Sequence, residues 1–193
     1  MNITIYLGSH MGRNDFYKPY AVALGHFIGT HGYTLVYGGA KNGLMGVLGD
    51  AALEAGATVI GVMPDFMLQD ERQHPGLTQM IRTADMSERK KKMEELGDVF
   101  LAFPGGIGTL EEISVVMSDQ KLGHLKKPFA FLNFAGFYEP MKALLQKMTE
   151  EGFIWPEWTE QVPFLENMEQ VEEFIAVVKS KSEDTADRPV QGL

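Results

Sequence analysis

The sequence predicts an α/β protein: a Rossmann-like, doubly wound parallel sheet with helices on both faces. Three observations lead there. Short β-type runs alternate with longer helical patterns along most of the chain. The runs are apolar at consecutive positions, as strands covered on both faces are. The junctions after Leu7, Tyr37 and Phe103 are glycine-rich, and open sheets of this class bind ligands beyond the carboxyl ends of their strands.

Each element follows from its local pattern. ITIYL (3–7) reads as the first strand. Residues 15–30 read as a helix, with Phe16, Tyr20, Ala23, Leu24, Phe27 and Ile28 at helical spacing. YTLVY (33–37) is a strand, 44–56 a helix and ATVIGVM (57–63) a strand. Pro64 to Pro75 reads as a long loop, and QMIRT (79–83) as a short strand. Residues 86–96 are helical and DVFLAF (98–103) is a strand. A helix runs from about Thr109 to the region of Leu122. PFAFLN (128–133) is a strand, and 138–150 and 168–180 are helices. No internal repeat or linker interrupts this order, so residues 1–181 are expected to form one nucleotide-binding domain. Residues 182–193, polar with Pro and Gly, are expected to be a disordered tail.

A net charge of −9 argues against a nucleic-acid polymer or an anionic membrane as partner. It leaves room for a small anion in a local pocket. The absence of cysteine excludes disulfides and thiolate metal sites. The stretch MNITIYLGSH has neither a basic n-region nor a long apolar run, so no signal peptide is expected. No run approaches a membrane span, and a cytoplasmic location is the expectation. The five histidines (10, 26, 31, 74, 124) show no metal-ligand spacing, and no metal or cofactor is expected.

The junction FPGGIGTLEE (103–112) carries the chemistry. A helix start presents unpaired N–H groups and a partial positive charge, and glycines let an anion approach them. Gly105, Gly106 and Gly108 therefore read as a phosphate cradle. A Walker A loop would need Lys where Thr109 stands, and GSHMGR lacks the dinucleotide fingerprint's spacing. Thr109–Leu110–Glu111–Glu112 also fits a capping box, a purely structural role. Gly38, Gly39, Gly43 and Gly46 add a second cluster on the same sheet edge, which favours the ligand reading. In DMSERKKKM (85–93), the four consecutive basic residues could simply be a solvated face. However, Arg89 and Lys90 point about 100° apart, and Arg89 shares a face with Met93 and Leu96. An arginine bordering the apolar side beside a phosphate cradle suits an anion clamp.

Together these segments resemble the LOG (Lonely guy) family of cytokinin riboside 5′-monophosphate phosphoribohydrolases. The family's PGGxGTxxE matches Pro104 to Glu112 without a gap, and its MHxRK matches Met86-Ser-Glu-Arg-Lys90. The resemblance also covers GSH (8–10), VYGGAKNGLMG (36–46), VIGVMP (59–64) and KPFAFLNFAGFYEPM (127–141), so it spans roughly residues 1–155. It implies a homodimer that hydrolyses the N-glycosidic bond of a purine nucleoside 5′-monophosphate to free base and ribose 5-phosphate. By position, Arg89 and Glu112 would be the catalytic pair. Arg89, Lys90, Gly105, Gly106, Ile107, Gly108, Thr109, Leu110 and Glu111 would contact the nucleotide. Glu71, Ser118 (a threonine in the family), Ser9 and Gly39 complete the expected binding set. A carboxylate at Glu112 would stabilise positive charge on the ribose and orient water. Arg89, always protonated, would anchor the substrate and align Glu112. The proton for the leaving base would come from water or Glu111.

Ser87, Ala40 and SDQKLGHLKKP (118–128) depart from the family pattern around the pocket, which bears on base preference. Some family members carry a lysine decarboxylase label, but no pyridoxal-lysine context is visible in this sequence. Two other classes share the architecture: a non-catalytic nucleotide- or molybdenum-cofactor-binding protein, and an assembly protein whose glycines serve packing.

Overall fold

The computed structural model describes residues 1–69 and 73–186. Seven strands form one sheet in the order β4-β3-β2-β1-β5-β6-β7. They are β1 (Asn2–Tyr6), β2 (Thr34–Tyr37), β3 (Thr58–Pro64), β4 (Gln79–Thr83), β5 (Val99–Ala102), β6 (Phe129–Leu132) and β7 (Phe164–Leu165). Every pairing is parallel. β1 lies at the centre: Ile3 pairs with Leu35 of β2 on one side and with Val99 of β5 on the other. The chain winds outward from β1 through β2 to β4, then returns to β5 and winds the other way. The order therefore reverses between β1 and β5, and a crevice opens at their carboxyl ends.

Alternation along the strands builds two cores. Ile3, Ile5 and Leu7 face the layer of α1 (Lys18–Thr30), α2 (Gly43–Glu54) and α7 (Met168–Ala186), packing with Leu24, Leu48 and Ile175. Tyr6, Phe100 and Ala102 face the opposite layer of α3 (Met86–Leu96), α4 (Ile107–Lys121) and α5 (Glu139–Glu150), packing with Met93, Ile113 and Leu145. A sheet buried on both faces accounts for strands that are apolar at successive positions.

Several boundaries differ from expectation. α1 begins at Lys18, behind a 3-10 turn at Arg13–Asp15, with a proline in its first turn where a missing N–H is harmless. The long loop contains a 3-10 turn, Asp65–Gln69, and Gln73 bridges to Ala40. α6 (Pro156–Thr159) and β7 were not foreseen: four and two residues are too short for any period to register. α7 runs to Ala186, past the expected end of the last helix at 180 and into the first residues of the expected tail. Its last turns contain no Pro or Gly, the first such residue being Pro189. Residues 187–193 lie outside the described residues.

Candidate active site

The site is assembled from three short segments at the β1/β5 crevice. The first is the start of α3. Asp85 caps it: its Oδ1 accepts from Glu88 N–H (2.9 Å), and Glu88 Oε2 accepts from Ala84 N–H (2.7 Å). The two contacts resemble a capping box shifted by one residue, since Glu88 reaches Ala84 and not the N-cap Asp85 itself. They set the helix phase, and one turn later Arg89 is only 6% exposed. The Arg89 guanidinium is held on three sides. Nε donates to Val62 O (3.0 Å), Nη1 to Met86 Sδ (3.7 Å), and Nη2 lies 2.9 Å from Glu112 Oε1.

The second segment is the junction from β5 into α4. The helix begins at Ile107, with Gly106 as N-cap and no side-chain cap. This corrects the expected start at Thr109. Thr109 sits at the third helical position and is buried, so it does not head a capping box with Glu112. Its hydroxyl instead fills the space that a side chain on Gly105 would need. With no side chain capping them, the N–H groups of the first turn face outward as anion donors. A side chain at Gly106 or Gly108 would meet nothing within 4 Å. These two glycines border open space, and Gly105 is packed. Glu112, one turn further on, is 5% exposed. Tyr138 pins the strand end from below, its hydroxyl donating to Phe103 O (2.8 Å).

The third segment is the turn after β1, tied to the second by Gly8 N–H donating to Pro104 O (3.4 Å). Between these segments lies a cavity of about 460 Å³. Of the residues expected to bind, Ser9, Arg89, Gly105, Gly106, Ile107, Gly108, Thr109 and Glu112 line it. Lys90, Leu110, Glu111, Ser118 and Gly39 lie outside that lining. Lys90 Nζ is paired with Glu111 Oε1 at 2.6 Å, and Ser118 is exposed on α4. Glu71 lies outside the described residues. The second glycine cluster is mainly structural. Gly43 (φ 58°) packs on the backbone of Ser9, Gly46 on that of Lys41, and Gly39 on Gly61.

Sequence reasoning missed the apolar wall, formed by Tyr17, Met45, Met67, Met86 and Phe137. Met86 was within reach, since it stands one turn before Arg89 in the same motif. The others come from elements remote in sequence, and only the fold joins them. The wall suits a flat apolar group, and the donors of α4 suit an anion. Burial pushes the Tyr6 phenol well above its usual range, and the nearby Glu112 carboxylate pushes it further. Among the described residues no group of three His, Cys, Asp or Glu side chains could hold a metal ion. No helix among them is long and apolar enough to cross a membrane.

Comparison with known proteins identifies the family. A family model described as "possible lysine decarboxylase" matches residues 45–175. The cytokinin riboside 5′-monophosphate phosphoribohydrolase of Rhodococcoides fascians is 39% identical over 180 residues, covering 93% of this chain and 89% of that protein. The LOG enzyme of the same name from Oryza sativa subsp. japonica is 40% identical over 152 residues, covering 79% of this chain and 63% of that protein. The chain belongs to this family, the LOG phosphoribohydrolase-like proteins. Solved structures with the same fold include the molybdenum cofactor binding protein of Rippkaea orientalis (TM-score 0.70, 22% identity, 92% of this chain and 96% of that one). The Chlamydomonas moco carrier protein is similar (TM-score 0.68, 21% identity, 93% and 97%). At that identity the likeness establishes the fold alone. Among the described residues the cavity lining includes no lysine.

Proposed function

We propose that this protein hydrolyses the N-glycosidic bond of a purine nucleoside 5′-monophosphate, AMP or an N6-modified AMP, to the free base and ribose 5-phosphate. The observation that carries the reading is the buried Arg89–Glu112 pair (2.9 Å) in the wall of a cavity that is also lined by an uncapped helix start. The relatives named above supply the reaction class. In this reading the phosphate takes the N–H groups of Gly106 to Thr109, with the helix dipole favouring its charge. The base lies against Tyr17, Phe137 and the methionines. The ribose then lies between them, beside Glu112.

Cleavage removes the bonding pair with the base and leaves positive charge on the sugar, as in glycoside hydrolysis. The carboxylate of Glu112 stabilises that charge and orients the water that adds to the anomeric carbon. Arg89 cannot serve as an acid, because guanidinium keeps its proton. Its work is to hold the carboxylate in one direction. Glu111 lies outside the cavity lining, so of the two donors expected from the sequence, water or Glu111, the reading takes water.

The homodimer is part of the same proposal. Ile107 and Leu110, one turn apart on α4, are 81% and 37% exposed. Adjacent exposed apolar side chains of this kind suit an interface. Sedimentation as a 21.5 kDa monomer at micromolar concentration would count against it. A cytoplasmic location, where nucleoside monophosphates are supplied, completes the reading. The test of function is release of ribose 5-phosphate from AMP and from N6-isopentenyl AMP, with base and sugar phosphate expected in equal amounts. Binding of either nucleotide without release would contradict it.

A further inference from the structure

Gly38 follows β2, is buried, and is not among the glycines with positive φ. Its backbone would therefore accept alanine. What it lacks is room. A Cβ there would lie 2.9 Å from Arg89 Nη2, 3.0 Å from Met45 Sδ and 3.1 Å from Met45 Cε. The three nearest atoms are all ends of side chains, and the nearest is the nitrogen that meets Glu112. The next glycine differs. Gly39 has φ 81°, and a Cβ there would approach Met80 Cε at 2.8 Å and the backbone of Gly61 at 3.0 Å.

We infer that Gly38 is a positioning residue for the reaction: its missing side chain is the slot that holds the Arg89 guanidinium against Glu112. The other sides of the guanidinium are already fixed by Val62 O and Met86 Sδ, so a methyl group at position 38 closes the fourth. The displaced group would be the flexible end of Arg89 or Met45, and the sheet would not have to move. Gly39 is glycine for the fold, and Gly38 is glycine for the catalytic pair. This inference deepens the proposed hydrolase reading and rests on it.

The experiment compares Gly38→Ala with Gly39→Ala, measuring kcat, KM and thermal midpoint. It adds a crystal structure of Gly38→Ala and the double variant with Arg89→Lys. Gly38→Ala should lower kcat by about 10- to 100-fold, the usual consequence of small misplacements of reacting groups. KM should stay near wild type, the thermal midpoint should fall as a buried ion pair is opened, and Arg89 Nη2 should move off Glu112 in the crystal. Gly39→Ala should lower the midpoint while leaving kcat and the Arg89–Glu112 contact near wild type. In the Arg89→Lys background, which has no Nη2, Gly38→Ala should add little further loss, since the two changes act on one contact. Wild-type kcat in Gly38→Ala, an unchanged Arg89–Glu112 contact in its crystal, a fully multiplicative loss in the double variant, or failure of Gly38→Ala to fold would each overturn the inference. A wild-type protein without hydrolase activity would instead sink the functional reading, and the crystal contact would still decide the slot.

Discussion

Two ion pairs join α3 to α4, and they are made by neighbours in sequence. Arg89 meets Glu112 at 2.9 Å, with side chains 7% and 5% exposed. Lys90 meets Glu111 at 2.6 Å, with side chains 21% and 50% exposed. One residue along a helix is a turn of about 100°. That step takes each partner from the cavity wall to the solvent side. Consecutive residues of like charge thus have separate roles: one pair faces the crevice, and the other ties the helices together outside it. In a sequence, RK and EE are symmetrical. The phase of the two helices breaks the symmetry, and that phase is set by the Asp85–Glu88 cap in α3 and by the early start of α4 at Ile107.

The sharpest way to break this comparison is to neutralise the two acids separately. Glu112→Gln should reduce turnover by about a hundredfold or more, as expected for losing a carboxylate that stabilises developing charge. It should also lower stability by about 3–5 kcal/mol, because Arg89 is left as a buried charge without its counterion. Turnover must therefore be measured well below the unfolding midpoint, with denaturant melts on the same samples. Glu111→Gln and Lys90→Ala should leave kcat close to wild type and shift stability by about 0–1 kcal/mol, as partly exposed pairs do. Equal losses from the two acids would erase the distinction.

Glycines of the PGGIG turn sharpen the same contrast between packed and open positions. Gly108→Ala adds a methyl group where no atom lies within 4 Å. It should stabilise the fold by about 0.4–1 kcal/mol while weakening nucleotide binding about tenfold, because the methyl group holds the anion off the N–H groups and lengthens a charge-assisted hydrogen bond. Gly105→Ala should destabilise by about 1–3 kcal/mol through overpacking against Thr109 and the backbone of Gly8. Calorimetry for affinity and thermal melts for stability would separate the two.

The smallest effect appears only at alkaline pH. Burial holds the phenols of Tyr6, Tyr37 and Tyr138 well above their usual range. Unfolded tyrosines ionise near 10, so above that pH the unfolded state releases protons that the folded state keeps. Their contribution is complete below about pH 10 and falls as pH rises beyond it. Urea midpoints should therefore decline on the alkaline side.

Much of this organisation could be read from residues alone, for physical reasons that also mark where reading failed. The apolar runs 3–7, 33–37, 57–63 and 98–103 declare buried parallel strands, and the glycine junctions mark the active edge. Arg89 stands out because an arginine on an apolar face needs a reason, whereas Glu112 is singled out only by its position in the PGGxGTxxE pattern of the resembling family. The cap was read at the wrong helix. TLEE and DMSE both fit the pattern, and only the backbone shows that Asp85 and Glu88 cap their helix while Thr109 is three residues inside α4. The second glycine cluster was read as ligand space, but Gly39, Gly43 and Gly46 answer to neighbouring backbone. Tyr17, Met45, Met67 and Phe137 were not found, because they meet only through the fold.

The central claim is that the Arg89–Glu112 pair faces a nucleotide's ribose and breaks its bond to the base. The most direct measurement is a single-turnover assay of AMP and N6-isopentenyl AMP with wild type and Glu112→Gln, following ribose 5-phosphate and free base together. The account expects equimolar products from wild type, and nucleotide bound but uncleaved by Glu112→Gln. Wild-type turnover retained by Glu112→Gln would contradict it.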